Sequence, residues 1–401
     1  MKRSKSKQSH VVIVLAVVIL VFMIVFFLTD VGYFTAYTVD YLLNRHNYKF
    51  KEEAQYGDNR ITQTDSFLTT YMNSVRDAKL AKMPKIKSQP LPEIDVRDLT
   101  KEKVLEISNH FREPFIVRGL IRDFDCVQKW NLEYFETEYG DVDVPVFSDD
   151  IPVSYAKGKT TPLKKCNSDN HFCSIRDICK SIRNGEPLYI NNISKLFTVS
   201  DQARAELNLD KMSQIMNESF FKNEKKNEFM SQLFFGGKNT GTSLHSALNV
   251  NFFFNVKGTK HWGFIHPKYT SLIKCQTSDK GLFAVSADDF FSEKEDNPYL
   301  RIPRYEALLN SGDFLFNPSW YWHAVRNKTD YTIAVANRYI FDLGGEVPSM
   351  SNNYYYTFLQ LFSPSHYVKV IYPDKDQSYQ DYYGELVDKE VLDNLTQKDH
   401  K

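Results

Sequence analysis

The sequence has no excess of charge of either sign. Its 401 residues contain 50 basic and 50 acidic side chains, so the formal net charge at pH 7 is zero. Proteins that bind nucleic acid or anionic membrane surfaces usually carry a clear excess of lysine and arginine. We therefore expect no nucleic-acid partner.

Cysteine is scarce, and its spacing is not that of a zinc site. None of the five cysteines forms a C-x-x-C pair, which argues against structural zinc. The odd number leaves at least one thiol unpaired, and Cys166 with Cys173 is a candidate for a short disulfide loop. Repeats and low-complexity blocks are also absent from residues 90–345, so we interpret this region as one domain.

Aromatic residues, by contrast, are abundant. The chain has 24 tyrosines and 30 phenylalanines, and 42% of its residues are apolar. Together with many short strand-like runs, this composition favours a large β-rich core over a helical bundle. The run E-P-F-I-V-R-G at residues 113–119 and the alternating residues 139–147 predict strands, and residues 174–184 predict a helix.

One long apolar run, Val11 to Leu28, stands close to the N-terminus. As a helix with a rise of about 1.5 Å per residue it spans the hydrocarbon core of a thin bilayer. Four basic residues precede it and the first charge after it is Asp30, which predicts that the N-terminus stays cytoplasmic. The alternative is a cleaved signal peptide, but the run is long for one and no small-x-small site follows it directly.

This pattern predicts a single-pass type II membrane protein. Residues 1–10 are the cytoplasmic tail, residues 11–28 the anchor in the lipid bilayer, residues 29–89 a polar stem, residues 90–345 the main domain and residues 346–401 a C-terminal extension. The domain is expected in the lumen of the endoplasmic reticulum or Golgi, or outside the cell. A helix predicted inside the stem either packs on the domain or holds it away from the membrane. Such a location permits glycosylation at the sequons Asn192, Asn217, Asn327 and Asn394.

Two segments, residues 232–267 and 312–325, each carry one histidine that reads as inward-facing. On a strand, His245 and Ala247 point to the same side. In an iron pocket of the two-histidine, one-carboxylate kind, that second position holds Asp or Glu. The second histidine, His323, follows the turn at Gly312 and a strand-like F-L-F.

A lysine lies between these histidines in the sequence. Lys260 shares a strand face with Trp262 and Phe264, and a lysine in an aromatic interior is costly unless it meets an anion. A dicarboxylate cosubstrate would provide that anion, with Thr242 and Asn337 as further hydrogen-bond donors.

With these motifs in order (E-P-F-I-V-R-G, T-S-L-H, N-F-F-F-N-V-K-G-T-K-H-W and G-D-F-L-F-N-P-S-W-Y-W-H-A-V), residues 90–345 resemble a known family. They are similar to the JmjC and cupin-like iron(II)- and 2-oxoglutarate-dependent oxygenases, most closely the small hydroxylase branch. The resemblance implies a mostly β, α+β fold, in which flanking helices surround a double-stranded β-helix. The apolar run at residues 11–28 places this domain behind an N-terminal transmembrane helix.

The resemblance also implies a site. His245 and His323 would bind iron(II). The residues that would bind or line the pocket of 2-oxoglutarate are Lys260, Thr242, Asn251 and Asn337. The implied reaction is hydroxylation of an unknown protein side chain or small molecule.

The sequence departs from the family pattern at Ala247, where the carboxylate ligand should stand. Three interpretations remain open: weak iron binding by two histidines with 2-oxoglutarate and water, a halogenase-like site with chloride at the Ala247 position, or an inactive barrel that serves as a binding module. Asp288 or Asp289 is a candidate for a substitute carboxylate.

A type II glycosyltransferase is a further alternative, because Asp141-Val142-Asp143 is formally a D-x-D motif. Three-residue motifs are weak signals. Val142, Val144 and Val146 would share one face of a strand, so the two aspartates are better explained as its solvated side.

Overall fold

The structure, a computed structural model, describes residues 13–21, 67–145, 172–186, 188–219, 230–247, 249–273, 275–277, 283–286 and 289–339. Most of the predicted anchor and stem, the candidate ligand Asp288 and the predicted extension 346–401 lie outside these ranges. Residues 13–21 are helical. Within the described ranges, no helix combines the length and the apolar character needed to cross a membrane.

The described strands build two sheets of seven strands and one small pair. In chain order they are β1 (Gln89–Pro90), β2 (Glu93–Asp95), β3 (Phe115–Arg118), β4 (Asp143–Pro145), β5 (Phe172–Ser174), β6 (Tyr189–Ile193), β7 (Met230–Gly237), β8 (Gly241–Ala247), β9 (Val250–Lys257), β10 (Lys260–Ile265), β11 (Cys275–Thr277), β12 (Phe283–Ser286), β13 (Arg304–Leu309), β14 (Phe314–Asn317), β15 (Trp322–Asn327) and β16 (Tyr331–Tyr339).

The described helices of the domain come mainly from its first half. They are α1 (Phe67–Ala81), α2 (Lys101–Ile107), α3 (Asp125–Lys129), α4 (Leu132–Glu138), α5 (Ile175–Arg183), α6 (Lys195–Val199), α7 (Asp201–Glu206) and α8 (Leu209–Ser219). The described residues also form three short 3-10 helices, Val96–Asp98, Pro267–Leu272 and Pro298–Arg301, and the last two lie between strands.

Sheet I has the strand order β1-β13-β10-β15-β8-β12-β11, and sheet II has the order β2-β3-β14-β9-β16-β7-β6. Successive strands from β7 to β10, and again from β13 to β16, alternate between the two sheets. The pairs are antiparallel except β1 with β13 and β2 with β3. Alternation between two facing antiparallel sheets is the connection pattern of a jelly roll. The expected mostly β domain with flanking helices is therefore confirmed.

Strand β9 shows how the sequence produces this arrangement. All its residues up to Val256 are buried, because side chains alternate between two covered faces. Phe252 and Phe254 pack into the core under the helices, whereas Phe253 packs between the sheets with Trp262. A strand with both faces covered needs apolar residues at every position. This explains the F-F-F run of β9.

The helices cover the outer face of sheet II through a dense aromatic cluster. Trp130 packs edge-on against Phe135 at 5.0 Å, and Phe135 packs against Phe235 of β7 at 4.8 Å between ring centroids. Glu206 of α7 is buried in this layer and accepts hydrogen bonds from Trp130 Nε1 at 2.6 Å and from Tyr139 Oη at 2.8 Å. The helical layer is therefore held by polar as well as apolar contacts.

Residues 67–89 lie against the domain. Helix α1 contacts the turn Pro267–Leu272, and the Ile86 N–H donates to the Leu300 carbonyl at 2.8 Å. Of the two arrangements considered for the stem helix, the structure therefore has the one that packs back on the domain.

The strand in the segment with the D-x-D motif begins later than the sequence predicts, since β4 starts at Asp143 and is described as far as Pro145, with residues 146–147 outside the described ranges. Asp141 precedes it, is exposed and pairs with Arg176 at 2.7 Å. Val144 is fully buried, so alternation places the aspartates on the solvated side. The predicted helix at 174–184 is α5, with the Ser174 hydroxyl accepting from the Asp177 N–H as its N-cap.

The described cysteines fall into two groups. Cys173 is disulfide-bonded, and its candidate partner Cys166 lies outside the described residues. Cys126 and Cys179 are free and buried. Burial raises the pKa of the Cys179 thiol to about 12, so this thiol is unreactive at neutral pH.

Candidate functional site

The two predicted histidine ligands lie side by side inside the barrel. Strands β8 and β15 pair antiparallel with His245 opposite His323, and the two ring centroids are 4.0 Å apart. In each ring Nδ1 lies 2.9 Å from a backbone carbonyl oxygen two residues earlier, that of Ser243 or Tyr321. A carbonyl only accepts, so Nδ1 carries the proton and Nε2 keeps its lone pair, as a metal ligand needs.

Both rings are also held in the neutral form. Enclosure in the barrel lowers the pKa of His245 to about 4 and that of His323 well below its usual range. The positive charge of Arg338 lowers both pKa values further. Neutral imidazoles are suited to bind a divalent metal ion through Nε2. At His323 the side-chain amide nitrogen of Asn317 lies 3.4 Å from Nε2.

The alanine at position 247 is anchored next to this pair. The Ala247 carbonyl accepts a hydrogen bond from the Trp320 N–H at 2.7 Å, and the Ser246 hydroxyl donates to the Trp320 carbonyl at 2.7 Å. Trp320 has a φ of +62°, a backbone conformation rare for a bulky residue and frequent at functional sites. These bonds tie the end of the first histidine strand to the start of the second.

No substitute carboxylate completes the pair in the described part of the chain. Asp289 pairs with Arg326 at 3.0 Å, and Arg326 lies on the outer face of sheet I because its neighbour Val325 faces inward. The described residues contain no group of three or more His, Cys, Asp or Glu side chains able to hold a metal ion. At this position they therefore bring together two imidazoles and no carboxylate.

Lys260 lies deeper in the same barrel. It is fully buried, and its Nζ donates to Asn327 Oδ1 at 2.7 Å and lies 5.6 Å from the centre of the Tyr189 ring. Burial lowers its pKa to about 7. Among the described residues no carboxylate forms an ion pair with Lys260, so its closest partner is a neutral amide.

Two hydroxyl groups and a glycine adjoin this lysine. Tyr189 Oη and Thr242 Oγ1 are 3.0 Å apart, next to the strand that carries Gly236. A Cβ at Gly236 would lie 2.2 Å from Asn327 Nδ2 and 2.7 Å from the Tyr189 ring. Glycine at 236 therefore leaves the room in which these two side chains approach Lys260.

Asn327, whose sequence is that of a glycosylation sequon, holds the ammonium group of Lys260 in place. Its Nδ2 donates to Thr240 Oγ1 at 3.0 Å and to the Gly237 carbonyl at 3.3 Å, which turns Oδ1 towards Lys260. The residue has no exposed surface. The sequon at Asn327 is thus inaccessible in the folded domain.

The two predicted pocket asparagines face opposite ways. Asn251 of β9 lies on the inner face of sheet II, which it shares with Phe253. Its buried Oδ1 has no hydrogen-bond partner among the residues that the structure describes. Asn337 of β16 shares the outer face with Val335. Its Oδ1 accepts from the Ser231 hydroxyl at 2.7 Å. Asn337 is therefore a core residue beneath the helices, and the inward position of that strand belongs to Arg338.

Aromatic side chains form the wall between the lysine and the histidines. The ring of Trp262 stacks with His323 at 5.8 Å and with Phe264 at 5.6 Å between centroids. The buried Trp262 Nε1 has no hydrogen-bond partner among the described residues. This wall excludes water and offers one unused donor.

The other histidines of these segments have partners away from this wall. His261 Nε2 lies 3.0 Å from Glu306 and His266 Nε2 lies 3.4 Å from Glu113. Each of these two histidines thus lies beside a carboxylate.

Four residues of the site escaped the sequence interpretation. Tyr189 carries no motif, Asn327 reads as a glycosylation sequon, and Asn317 lies within the G-D-F-L-F-N-P motif without a role of its own. Arg338 directly follows the named Asn337, so a one-residue error in strand phase hid it.

The residues present fit a small dicarboxylate. Lys260 lacks an anion, Thr242 and Tyr189 supply hydroxyls beside it, and Asn251 has an unused amide oxygen. For iron(II) the fit is partial, because the chain provides two neutral imidazoles and an alanine in the third position.

An antiparallel jelly roll that encloses two paired histidines and a buried lysine defines a protein of the cupin type. A family model described as "Cupin-like domain" matches residues 104–341, more than half of the chain. The chain therefore belongs to the JmjC and cupin-like family, whose enzymes are iron(II)- and 2-oxoglutarate-dependent oxygenases.

Curated relatives are distant in sequence. The chain is 25% identical over 256 residues to JmjC domain-containing protein D of Dictyostelium discoideum, covering 57% of this chain and 55% of that protein. It is 23% identical over 272 residues to the bifunctional arginine demethylase and lysyl-hydroxylase psr-1 of Caenorhabditis briggsae, covering 62% and 61%. The chain is 24% identical over 272 residues to tRNA wybutosine-synthesizing protein 4 of Gibberella zeae, and the match covers 66% of this chain and 24% of that protein. The chain thus matches less than two thirds of each of these three relatives.

Proposed function

We propose that this protein binds 2-oxoglutarate between Lys260 and the histidine pair and, with iron(II), hydroxylates a protein side chain or a small molecule. The observation that carries this proposal is the fully buried Lys260, whose Nζ has a neutral amide as its hydrogen-bond partner at 2.7 Å. Burying a cation in an aromatic interior costs free energy that an anionic ligand offsets. The relative named as a lysyl-hydroxylase supports the reaction class.

Each residue of the pocket has a definite task in this proposal. The ammonium group of Lys260 binds the distal carboxylate of 2-oxoglutarate, and the hydroxyls of Thr242 and Tyr189 donate to the same group. Nε2 of His245 and of His323 would hold the metal. Bound together, iron(II) and 2-oxoglutarate would reduce dioxygen to an oxidant for a C–H bond, with one oxygen atom going to the substrate and the other to 2-oxoglutarate as it loses carbon dioxide and becomes succinate. The stacked rings of Trp262 and Phe264 keep bulk water from this space.

Ala247 sustains two alternatives. A methyl group where the carboxylate should be leaves space for chloride, as in a halogenase-like enzyme. The missing carboxylate also weakens metal binding, since removing even a residue that only supports a metal ligand reduces metal affinity by roughly 10- to 100-fold. The second alternative is accordingly a barrel that binds its ligand and performs no oxidation.

Anaerobic titration of the full chain in detergent with iron(II) and 2-oxoglutarate, following the metal-to-ligand charge-transfer band, tests the proposal. We expect a band for the wild type, and its loss or a weakening of roughly tenfold or more in Lys260→Ala and His323→Ala. Ala247→Asp, which restores the carboxylate, should bind iron more tightly. Lys257→Ala, near the end of β9 and outside the pocket, is the matched control.

The outcomes separate the alternatives. A band that shifts on addition of chloride favours the halogenase-like version. No band, with 2-oxoglutarate still bound by calorimetry, leaves the binding module. If 2-oxoglutarate does not bind with or without iron(II), the proposed ligand is wrong.

We further propose that the domain lies in the lumen of the secretory pathway or outside the cell, anchored by residues 11–28. The apolar run and the disulfide at Cys173 support this location, because disulfides persist in oxidising compartments. In isolated microsomes, a C-terminal tag should resist protease until detergent is added, and the protein should remain in the membrane after carbonate extraction. Digestion of the tag without detergent would contradict the topology.

A further inference from the structure

A hydrogen bond joins the two sheets close to the histidine pair. Tyr321 Oη donates to Glu113 Oε2 at 2.6 Å. Glu113 lies two residues before β3 of sheet II, whereas Tyr321 directly precedes β15 of sheet I. Tyr321 has no exposed surface, and its ring packs edge-on against Phe264 at 6.2 Å between centroids. The bond therefore ties the start of a strand in one sheet to the start of a strand in the other.

The carboxylate in this bond is charged. Burial by itself raises the pKa of Glu113, but hydrogen bonds from His266 and Tyr321 outweigh burial and lower the pKa below its usual value. His266 Nε2 lies 3.4 Å from Glu113 Oε1, so each carboxylate oxygen has a partner of its own. A phenol hydroxyl that donates to a carboxylate at this distance makes a strong, charge-assisted hydrogen bond.

The backbone that leads to Glu113 follows an unusual path. Asn109, His110 and Phe111 have φ angles of +46°, +56° and +62°, which L-amino acids with a Cβ disfavour. Ser108 is fully buried and holds this turn. Its hydroxyl accepts from the Phe111 N–H at 2.9 Å, and its carbonyl accepts from the Glu113 N–H at 2.8 Å. Such backbone persists only where the surrounding structure fixes it, so Glu113 reaches the barrel in a defined position.

The residue at the other end of the bond orients a histidine. The Tyr321 carbonyl lies 2.9 Å from His323 Nδ1, and the Ser243 carbonyl lies at the same distance from His245 Nδ1. Ser243 is inside β8, where the sheet holds the backbone. Tyr321 is in the turn before β15 begins at Trp322. The position of the Tyr321 carbonyl therefore depends on how its side chain and this turn are held.

We propose that Glu113 is a positioning residue for the second histidine: by holding the Tyr321 side chain, it fixes the carbonyl that orients the His323 imidazole. The inference gives a role to the first residue of the E-P-F-I-V-R-G motif. Its purpose, an Nε2 atom aimed at a metal ion, rests on the proposed function. The orientation of His323 is nevertheless measurable without metal.

NMR spectroscopy of the metal-free full chain in detergent, with 15N-labelled histidine and EDTA present, tests this orientation. Each imidazole should give a slowly exchanging Nδ1–H signal, assigned by its loss in His245→Gln or His323→Gln. Tyr321→Phe and Glu113→Ala should speed proton exchange at His323 by roughly tenfold or more and leave His245 unchanged. Glu113→Gln keeps an acceptor without the charge and should recover part of the slow exchange.

Two controls separate positioning from a general loss of stability. Tyr305→Phe removes a hydroxyl from a residue that packs against the same core cluster as Tyr321, and it leaves the bond to Glu113 intact. Glu206→Gln weakens the helical layer on the outer face of sheet II. Both variants should show the wild-type exchange rate at His323. Thermal unfolding checks that each variant is folded under the conditions of the measurement.

Titration with cobalt(II), a redox-stable substitute for iron(II), tests the consequence for the metal site. Tyr321→Phe and Glu113→Ala should bind cobalt(II) roughly tenfold more weakly, because residues that support a metal ligand contribute at least this much to affinity. Tyr305→Phe should bind it like the wild type.

Several results would overturn the inference: wild-type exchange at His323 in Tyr321→Phe, an equal effect on His245, an equal effect of Glu206→Gln, or unchanged cobalt(II) affinity in Tyr321→Phe. A wild type without a slowly exchanging His323 signal would do the same. None of these results bears on 2-oxoglutarate binding. A wild type that binds neither cobalt(II) nor iron(II) would instead contradict the metal part of the proposed function, and the NMR measurement would still decide the role of Glu113.

Discussion

At the scale of single residues, Lys260 is a buried lysine that lowers the stability of the ligand-free fold. The residue is fully buried between Tyr189 and Asn327. Burial alone lowers its pKa from 10.5 to about 7, which means that the folded, ligand-free protein holds a proton there less tightly than the unfolded chain does. A group with this property destabilises the fold in its charged form, and under the proposed function an anionic ligand offsets that cost.

Replacing the lysine with methionine should therefore stabilise the ligand-free protein and abolish dicarboxylate binding. We expect Lys260→Met to gain ~1–4 kcal/mol of unfolding free energy at pH 7, because it fills the same space without a charge. Between pH 7 and 10.5 the unfolded wild type holds the proton that the folded wild type has lost, so wild-type stability rises with pH across this window. The advantage of the variant should shrink accordingly.

Urea denaturation of both proteins at pH 6, 8 and 10 measures this effect, with Lys257→Met as the control for loss of a strand lysine. A variant that is less stable than the wild type at every pH would show that Lys260 is paired in a way that stabilises the fold.

At the scale of elements, the pair β8–β15 determines the geometry of the histidines. The register of this pair shifts between His323 and Val325, and the shift brings the backbones unusually close at Gly241. A Cβ on Gly241 would lie 1.9 Å from the Val325 carbonyl oxygen. Because backbone atoms of a paired strand cannot move aside as a flexible side chain can, only glycine fits there.

Gly241→Ala should force the two histidine strands apart. We expect a loss of ~1–3 kcal/mol or more in unfolding free energy, the range for overpacking in a close-packed interior, together with weaker binding of iron(II) and 2-oxoglutarate. Thermal unfolding and the charge-transfer titration measure the two effects. Ser243→Ala on the same strand should change neither strongly, and equal behaviour of the two variants would contradict the close approach.

At the scale of the whole molecule, a buried carboxylate joins the helical layer over sheet II. Glu206 of α7 accepts hydrogen bonds from Trp130 after α3, from Tyr134 in α4 and from Tyr139 after α4. Burial by itself raises the pKa of Glu206, but the hydrogen bonds from Tyr134, Trp130 and Tyr139 outweigh it and lower the pKa below 4.5. The charged form is thus the stable form in the fold.

This depressed pKa makes the stability of the layer dependent on pH. The carboxylate stabilises the fold above its unfolded pKa, near 4.5, and the contribution is lost as the pH falls through the lower folded value. Glu206→Gln should lose ~1–3 kcal/mol of unfolding free energy at pH 7, and this difference should shrink towards pH 3.

Urea denaturation at pH 7 and pH 3.5 tests this behaviour. The exposed Glu133 on α4 provides the control Glu133→Gln, which should differ little from the wild type at either pH. A difference for Glu206→Gln that stays constant with pH would mean that the carboxylate is not charged in the fold.

Much of this protein follows from local sequence. The order of the strand motifs and the apolar run of β9 predict a β-rich core, because a strand that is covered on two faces needs apolar residues on both. The capped helix α5 predicts the flanking helices. The family follows from the same motifs. His245, Lys260 and His323 could also be selected from the sequence as candidate site residues. A charged or imidazole side chain in an apolar strand costs free energy unless it has a hydrogen-bond or charge partner.

Tertiary structure decided which side chains complete the site. Whether Asn337 or Arg338 faces the barrel depends on strand phase, and a slip of one residue exchanges the two faces. The roles of Asn327 and Tyr189 depend on partners 67 and 53 residues away in sequence, Lys260 and Thr242, which no local pattern specifies. The sequence by itself determined the fold class and the missing carboxylate at Ala247. Only the packing of two sheets decided that the charge of Arg338 acts on His245 and His323, because contacts between sheets are set by register and twist rather than by neighbours along the chain.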